Sequence, residues 1–214
     1  MVIVMRQLMN LLMGLVLIGV PLRAVADPAV EPAPPSVDQT LDDPGEVRQA
    51  EVERQVLVFL RNLHRSWGKS QDTLRKILSG TLVRDEHGTL VYSRVLAEHR
   101  VAEGYEFEDG VLVHGLCLFL QEPANDVNEF LEYYGTVKNA LISAYGVPAL
   151  DQMIWDNDLY EPMPEYWGKA VLMGHLRFAA SWDMPDGTLT IELTGRHHSQ
   201  LTVDYRHREA GKLT

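Results

Sequence analysis

The stretch from Tyr105 to Val113, which reads YEFEDGVLV, constrains the fold more than any other part of this sequence. Apolar and acidic side chains alternate up to an Asp-Gly pair, and an apolar run follows it. Such alternation is typical of a strand with one buried face, and Asp-Gly favours a two-residue turn that reverses the chain. We therefore expect an antiparallel hairpin. The run from Val111 to Leu120 is apolar on both faces, which predicts a central strand of a larger sheet.

Apolar side chains at helical spacing predict two longer helices. The first runs from about Glu46 to His64, and its stripe consists of Val52, Val56, Phe59, Leu60 and Leu63. The second begins at Asn125 or Asp126, continues for about 20 residues and is stopped by Gly146 and Pro148. Its apolar positions are Val127, Phe130, Leu131, Tyr134, Val137, Leu141 and Tyr145.

A shorter helix is predicted after SWGKS, the pentapeptide from Ser66 to Ser70. This pentapeptide imitates the end of a phosphate-binding loop, but Leu63 stands where that loop needs a glycine. We interpret Ser70 as an N-cap and Gly80 as the helix stop. The tripeptide WGK returns at Trp167, where the following apolar residues alternate, so that second copy predicts a strand and no internal repeat.

These elements predict an α+β fold. A meander over residues 81–120 turns at His87-Gly88 and at Asp109-Gly110, and three further strands lie near residues 170–183, 188–194 and 201–208. We expect one domain with an antiparallel sheet of about six to seven strands on two or three helices. Two similar helix-plus-sheet halves within that domain remain an open alternative.

The N-terminus predicts export. Arg6, the apolar run from Leu11 to Val20 and the small-residue site ending at Ala26 form the pattern of a cleaved signal peptide, residues 1–26, although an uncleaved anchor is the alternative. Residues 27–44 are rich in proline and are predicted to be a disordered tether. The globular domain is predicted over 45–210, followed by a disordered tail, 211–214. We expect a periplasmic or secreted protein with no stable membrane insertion after cleavage.

Charge and cysteine content exclude some functions. The net charge of −11 becomes −13 from Asp27 onward, because the preceding residues hold two arginines and no acid. A negative field repels phosphate backbones and anionic lipid headgroups, so we expect no nucleic acid partner. Cys117 is the only cysteine, so no intramolecular disulfide forms, and its apolar neighbours predict a buried thiol.

Four short motifs carry a resemblance. They are the Trp-Gly-x-Ser step into a short helix (Trp67 to Gly80), the Asp-Gly hairpin (Tyr105 to Val113), a helix ending Tyr-Gly-x-Pro (Tyr145 to Pro148) and a later strand with Trp182. Together they resemble exported bacterial domains of unknown function. Their layout is similar to β-lactamase-inhibitor-like domains and to the small lipoprotein of the outer-membrane assembly machinery. The resemblance implies a binding or scaffolding module and carries over no catalytic residue.

Few residues predict chemistry. His197 and His198 read as a solvated hairpin tip, too far along an extended strand from His207 to share a metal ion with it. Asp156-Asn157-Asp158 resembles the start of a calcium loop, but Glu161 stands where that loop needs glycine, which leaves only a weak, irregular site as an alternative. Glu106 and Glu108 are expected to be exposed. We predict no metal, no cofactor and no enzymatic activity.

The irregular segment from Asp151 to Gly168, which is aromatic and acidic and lies between proline breaks, is the best candidate for a binding surface. Its residues are Trp155, Asp156, Asp158, Tyr160, Tyr166 and Trp167. The alternative is that the tryptophans fold back to cover the edge of the core. The sequence thus predicts a non-enzymatic binding domain that contacts a protein or peptide partner in the cell envelope through its open sheet face or through this segment. A small-ligand or lipid carrier requires a concave apolar pocket instead, and a hydrolase requires a histidine and an acid in one cleft.

Overall fold

One antiparallel sheet with helices on a single face makes up the described part of the chain. The structure is a computed structural model that describes residues 44–86, 88–96, 99–120, 127–195 and 199–208, all within one compact unit, residues 41–214. The predicted signal peptide, nearly all of the predicted tether and the predicted tail lie outside these residues. So do the helix start expected at Asn125 or Asp126 and the hairpin tip expected at His197 and His198.

The described elements alternate between helices and runs of strands. The helices are α1 (Pro44–His64), α2 (Gln71–Ile77), α3 (Glu129–Tyr145) and α4 (Trp167–Leu172). The strands are β1 (Thr81–Glu86), β2 (Thr89–Leu96), β3 (His99–Glu108), β4 (Val111–Leu120), β5 (Leu150–Trp155), β6 (Leu176–Met184), β7 (Gly187–Gly195) and β8 (Ser199–His207). The predicted α+β class is confirmed, with eight strands and four helices among the described residues instead of the smaller numbers expected.

The order of strands across the sheet is β1-β2-β3-β4-β8-β7-β6-β5, with every pair antiparallel. It consists of two four-strand groups that meet where β4 pairs with β8, so that Cys117 lies opposite Val203. Each group follows a long helix, α1 or α3, as in the predicted alternative of two helix-plus-sheet halves. In the second group α4 is inserted between β5 and β6. The predicted central position of Val111–Leu120 is confirmed.

The described helices pack on one face of this sheet and form the core with it. The predicted stripe of α1 is confirmed, since all five of its residues are at most 3% exposed. Leu63 of this stripe rests on Gly115, where an added Cβ would lie only 2.4 Å from the Leu63 Cδ1 atom. A glycine on β4 therefore lets α1 approach the sheet. No helix among the described residues is both long and apolar enough to cross a membrane.

Local turn chemistry fixes two of the connections as the sequence predicts. Asp109 and Gly110 both have positive φ, 50° and 80°, so they form the expected two-residue turn between β3 and β4. Ser70 is the N-cap of α2, because its side chain accepts a hydrogen bond from the Thr73 backbone N–H. Gly68 has a φ of 71° in the preceding turn. SWGKS is therefore a connection between helices.

The strand predicted over 170–183 is wrong in its first part, because residues 167–172 form α4 and β6 begins at Leu176. Helix α4 ends in a glycine stop: Gly174 has a φ of 74°, its N–H donates to the Val171 carbonyl, and the His175 N–H donates to the Ala170 carbonyl. The two alternating positions before that glycine were too few to distinguish a strand from a single helical turn.

Candidate functional site

The six candidate binding residues lie at the end of β5, in the connection that follows it and at the start of α4. Trp155 ends the strand, and two single 3-10 turns, Asp158–Tyr160 and Pro164–Tyr166, lead into α4. The Asn157 side chain starts the first turn by accepting the Leu159 N–H at 2.9 Å. The sequence predicted an irregular segment from residue 151 onward, so β5 is a strand that was not predicted. It accounts for one of the strands beyond the expected number.

Trp155 and Trp167 are brought together, with ring centroids 6.1 Å apart and planes at 72°. Both are half-buried and pack on the hydrophobic core, and Trp167 also contacts Phe178. The Trp167 Nε1–H donates to the Glu161 carbonyl at 3.3 Å. These two tryptophans therefore cover the edge of the core, as the alternative interpretation held.

Tyr160 organises the exposed part of this region. Its ring lies 6.1 Å from that of Tyr166 and stacks on His175 at 5.8 Å, and its hydroxyl donates to the Met173 Sδ atom at 3.7 Å. Leu159, Tyr166 and Met173 expose 57%, 44% and 50% of their surfaces. We call Leu159, Tyr160, Tyr166 and Met173 the aromatic patch. Tyr166 and Met173 both contact Tyr160, and Leu159 precedes it in the chain.

Acidic residues border the aromatic patch. Asp156, Asp158, Glu161 and Glu165 are all exposed. Two cations lie nearby: the Arg177 Nε atom is 3.9 Å from Asp156, and the Lys169 Nζ atom lies 5.6 Å from the centre of the Tyr160 ring. The acids outnumber these cations, so the border carries net negative charge. Within the described residues, no group of three or more His, Cys, Asp or Glu side chains is arranged to hold a metal ion.

A second cluster, which the sequence analysis missed, surrounds His114 on β4. Its Nδ1 atom lies 2.9 Å from Glu106 of β3, and its Nε2 atom lies 2.8 Å from Asp204 of β8. The Arg206 guanidinium is 3.5 Å from Nδ1. The expectation that Glu106 is exposed is wrong, because His114 lies directly opposite it across the β3–β4 pair and binds its carboxylate. Glu108 is exposed as expected.

The His114 cluster is an ion pair network. Burial lowers the pKa of His114, but the hydrogen bonds to Asp204 and Glu106 outweigh that effect and raise the pKa to about 9. The hydrogen bond between His114 and Glu106 lowers the pKa of Glu106. At neutral pH His114 is therefore an imidazolium that donates from both nitrogens, and the residue is 4% exposed. Such a group has no lone pair with which to act as a base.

A second histidine meets an acid where α1 approaches the β6–β7 turn. The His64 Nδ1 atom lies 3.3 Å from the Asp186 carboxylate, whose other oxygen accepts a hydrogen bond from the Tyr205 hydroxyl. The His64 and Tyr205 rings are 4.8 Å apart, and Trp67 packs edge-on against Tyr205. These contacts tie the end of α1 to the sheet. Cys117 lies in the core, where burial raises its pKa and disfavours the nucleophilic thiolate.

A pocket and the sheet face opposite the helices bear on the alternative functions, a ligand carrier and a domain that binds its partner through the sheet. A pocket of about 400 Å³ opens beside β1 and β2 and is lined partly by Arg94 and Arg100, so it is not the apolar cavity between sheet and long helix that a carrier requires. The sheet face opposite the helices was a possible docking surface. At its β4 portion Leu116 and Leu118 are only 5% exposed, so it offers no open apolar area there.

Comparison with known proteins adds no relative. No family model, no curated protein and no solved structure matches the chain. The resemblance to β-lactamase-inhibitor-like domains and to the outer-membrane assembly lipoprotein therefore stays a prediction from short motifs. The function has to be argued from the site itself.

Proposed function

We propose that this protein is an exported, non-enzymatic binding domain that recognises a protein or peptide partner in the periplasm or outside the cell through the aromatic patch. The observation that carries the proposal is the exposure of Leu159, Tyr166 and Met173, each between 44% and 57%, around a tyrosine held from several sides. Apolar side chains exposed together in this way mark interaction sites more often than scattered ones do.

The construction of the patch suits a binding surface. Aromatic side chains supply large contact area at a low entropic cost because they have few rotatable bonds. Tyr160 is already fixed by Tyr166, His175 and Met173, so little further ordering is needed when a partner binds. The exposed acids around it supply a polar rim and favour a partner with basic side chains.

The two histidines that pair with acids have structural partners. His114 is engaged at both ring nitrogens and is buried, and His64 belongs to contacts that join α1 to the sheet. His175 lies at the aromatic patch, where its ring stacks on Tyr160, and its Nδ1 atom is buried. A hydrolase would need a base that faces the surface receiving the substrate.

Site-specific photo-cross-linking in the cells that produce the protein tests this function. A photoreactive amino acid replaces Tyr166 in one strain and Val95 in another, because Val95 is 70% exposed on β2 and lies outside the patch. We expect a discrete cross-linked partner from position 166 and none from position 95. Mass spectrometry identifies the partner, which is then purified for calorimetry.

The calorimetric step separates specific binding from capture by proximity. Leu159→Ser with Tyr166→Ser removes exposed apolar surface while leaving the two half-buried tryptophans in place, so the fold is expected to persist. Binding should weaken by at least about tenfold, since burying two such side chains contributes a few kcal/mol. Equal cross-linking from both positions, or unchanged affinity in the double variant, would refute the proposed function.

A further inference from the structure

Strand β5 is one edge of the described sheet, because it pairs with β6 and no described strand follows it. Residues 150–153 are all exposed, including Leu150 at 44% and Met153 at 43%. An edge strand that is open on both faces presents backbone N–H and C=O groups to which another extended chain can bond.

The opposite edge, β1, is protected in several ways that β5 is not. Strand β1 contains a bulge after Leu82 and a run of three charged residues, 84–86. Helix α2 also reaches over it, since the Arg75 Nε atom lies 2.6 Å from Asp85. Bulges, charges and covering helices are the usual means by which proteins keep an edge from pairing with other chains.

Strand β5 lacks these protections. Its sequence, LDQMIW, contains no proline and no lysine, and its register with β6 is unbroken. Its single charge, Asp151, is paired with Lys138 of α3, the Nζ atom lying 2.6 Å from the carboxylate. The β1 edge of the sheet is thus protected against pairing with other chains, whereas the β5 edge is open. This difference indicates that β5 serves to pair with an added strand.

The hydrogen-bonding pattern fixes which groups of β5 are available. Just beyond the strand, the Asp156 N–H donates to the His175 carbonyl at 2.8 Å, in register with the β5–β6 pair. Inward and outward positions alternate in an antiparallel pair. The backbone groups of Ile154 and Gln152 therefore point to β6, and those of Trp155, Met153 and Asp151 point outward.

The chemistry around β5 defines its occupant. Exposed apolar side chains lie on both faces of the strand, Leu150 on one and Met153 on the other. Beyond Trp155 come the exposed acids at 156, 158, 161 and 165, with the aromatic patch among them. A strand paired along β5 would have apolar residues on both faces and a positive charge at the end that passes Asp156.

We infer that β5 receives, by strand addition, an extended segment of the partner that is rich in apolar residues and carries Lys or Arg at the end beside Asp156. This inference rests on the proposed function, because the added strand is the part of the partner that leads into the aromatic patch. The outward N–H groups of Met153 and Trp155 supply hydrogen bonds that do not depend on sequence, and the side chains on each face supply specificity.

The test selects binders to the purified protein from a displayed library of random dodecapeptides. The selected peptides are then synthesised, and their affinity is measured by calorimetry. Met153→Pro removes one outward N–H and leaves the β6 ladder intact, since proline is tolerated at non-bonded positions of edge strands. Met153→Ala is the matched control, because it shortens the same side chain and keeps the N–H. Peptides N-methylated at alternate amides repeat the test without altering the protein.

We expect selected peptides of the stated composition, with affinity reduced at least about tenfold by Met153→Pro and by N-methylation, and less than about threefold by Met153→Ala. If Met153→Pro and Met153→Ala change the affinity equally and N-methylation of the peptide leaves the affinity unchanged, strand addition is overturned while the proposed function stands. If no peptide is selected and Tyr166 yields no cross-link, both fall. If the wild type instead forms a dimer that Met153→Pro dissolves, β5 pairs with a second copy and the partner-strand inference is overturned.

Discussion

Replacing His114 by glutamine should remove most of the dependence of stability on pH between neutral and alkaline conditions. In the native state His114 is an imidazolium held between Glu106 of β3 and Asp204 of β8, with Arg206 as the nearest like charge. The unfolded chain has no such partners, so its histidine pKa is close to the ordinary value of 6.5. Folding therefore binds a proton that the unfolded chain releases above that pH.

The pKa of about 9 sets the size and the pH range of the effect. A group whose pKa is raised on folding contributes fully below its unfolded pKa and loses that contribution as pH rises through its folded pKa. Between pH 6.5 and about 9 the free energy of unfolding should fall by roughly 1.4 kcal/mol per pH unit from this site. The total is about 3 kcal/mol, an upper value because the two carboxylates are partly hydrated.

Urea denaturation at half-unit pH intervals measures this slope in the wild type and in His114→Gln. The difference between the two proteins isolates His114 from other groups that titrate in the same range. Asp204→Asn is the intermediate variant: it keeps a hydrogen-bond acceptor and removes one negative charge, so the fall in stability should move to lower pH. Equal slopes for wild type and His114→Gln would refute the reasoning, as would an NMR titration that gives His114 an unshifted pKa.

Three further perturbations test the packing. In Gly195→Ala the new Cβ would lie 2.0 Å from the Val171 carbonyl oxygen, so we expect the free energy of unfolding, measured by urea denaturation, to fall by about 2 kcal/mol. In the control Gly135→Ala, within α3, the new Cβ meets nothing within 4 Å, and the free energy of unfolding should rise by about 0.5 kcal/mol. Arg94→Ala removes the ion-pair partner of Glu103, a residue that is only 1% exposed, and calorimetry should show that the free energy of unfolding falls by about 3 kcal/mol. Most of that stability should be recovered in the double variant Arg94→Leu with Glu103→Leu, which leaves no buried charge. Trp182→Phe removes the 2.8 Å hydrogen bond to the Gly146 carbonyl, which should cost about 1 kcal/mol and speed amide exchange at the end of α3.

The parts of the fold that local sequence determines were predictable. Asp109-Gly110 forms the expected turn because a two-residue hairpin needs positive φ at both positions. The stripe of α1 and the Ser70 cap of α2 follow from helical spacing and from an unsatisfied backbone N–H, respectively. Each of these depends on neighbours within a few residues, which a single sequence contains.

The His114 cluster could not be predicted, because it depends on strand register between distant parts of the chain. Glu106 and His114 belong to one hairpin, but Asp204 enters only when β8 pairs with β4, 90 residues further along. A pair of acids on a strand is ambiguous until its cross-strand neighbour is known. Extending the hairpin register from the Asp-Gly turn would have placed Val113 opposite Glu106. The register shift between Glu106 and Phe107 brings His114 there instead, and nothing in the sequence marks that shift.

The candidate site illustrates what residue type can predict and what it cannot. The prediction selected aromatic and acidic residues of one segment, and the structure brings Trp155 to Trp167 and Tyr160 to Tyr166. Which of them face solvent was not predictable, since that depends on how far each ring reaches into the core. The tryptophans are half-buried, and Leu159 and Met173, which the sequence analysis did not select, contribute exposed surface.

The two elements that sequence reasoning misassigned, β5 and α4, are the two that flank the aromatic patch. In the α1 stripe, the Ser70 cap and the Asp109-Gly110 turn, periodicity, caps and turn residues agree with the fold, which is the expected state of a sequence selected for folding. Beside the patch one element departs from this agreement, because β5 is an open edge strand that carries exposed apolar residues. Residues that violate the local rules of folding at one place are best explained by a demand other than folding. The contact surface proposed for this end of the sheet is such a demand, and the open edge of β5 supports that proposal beside the exposure of the aromatic patch.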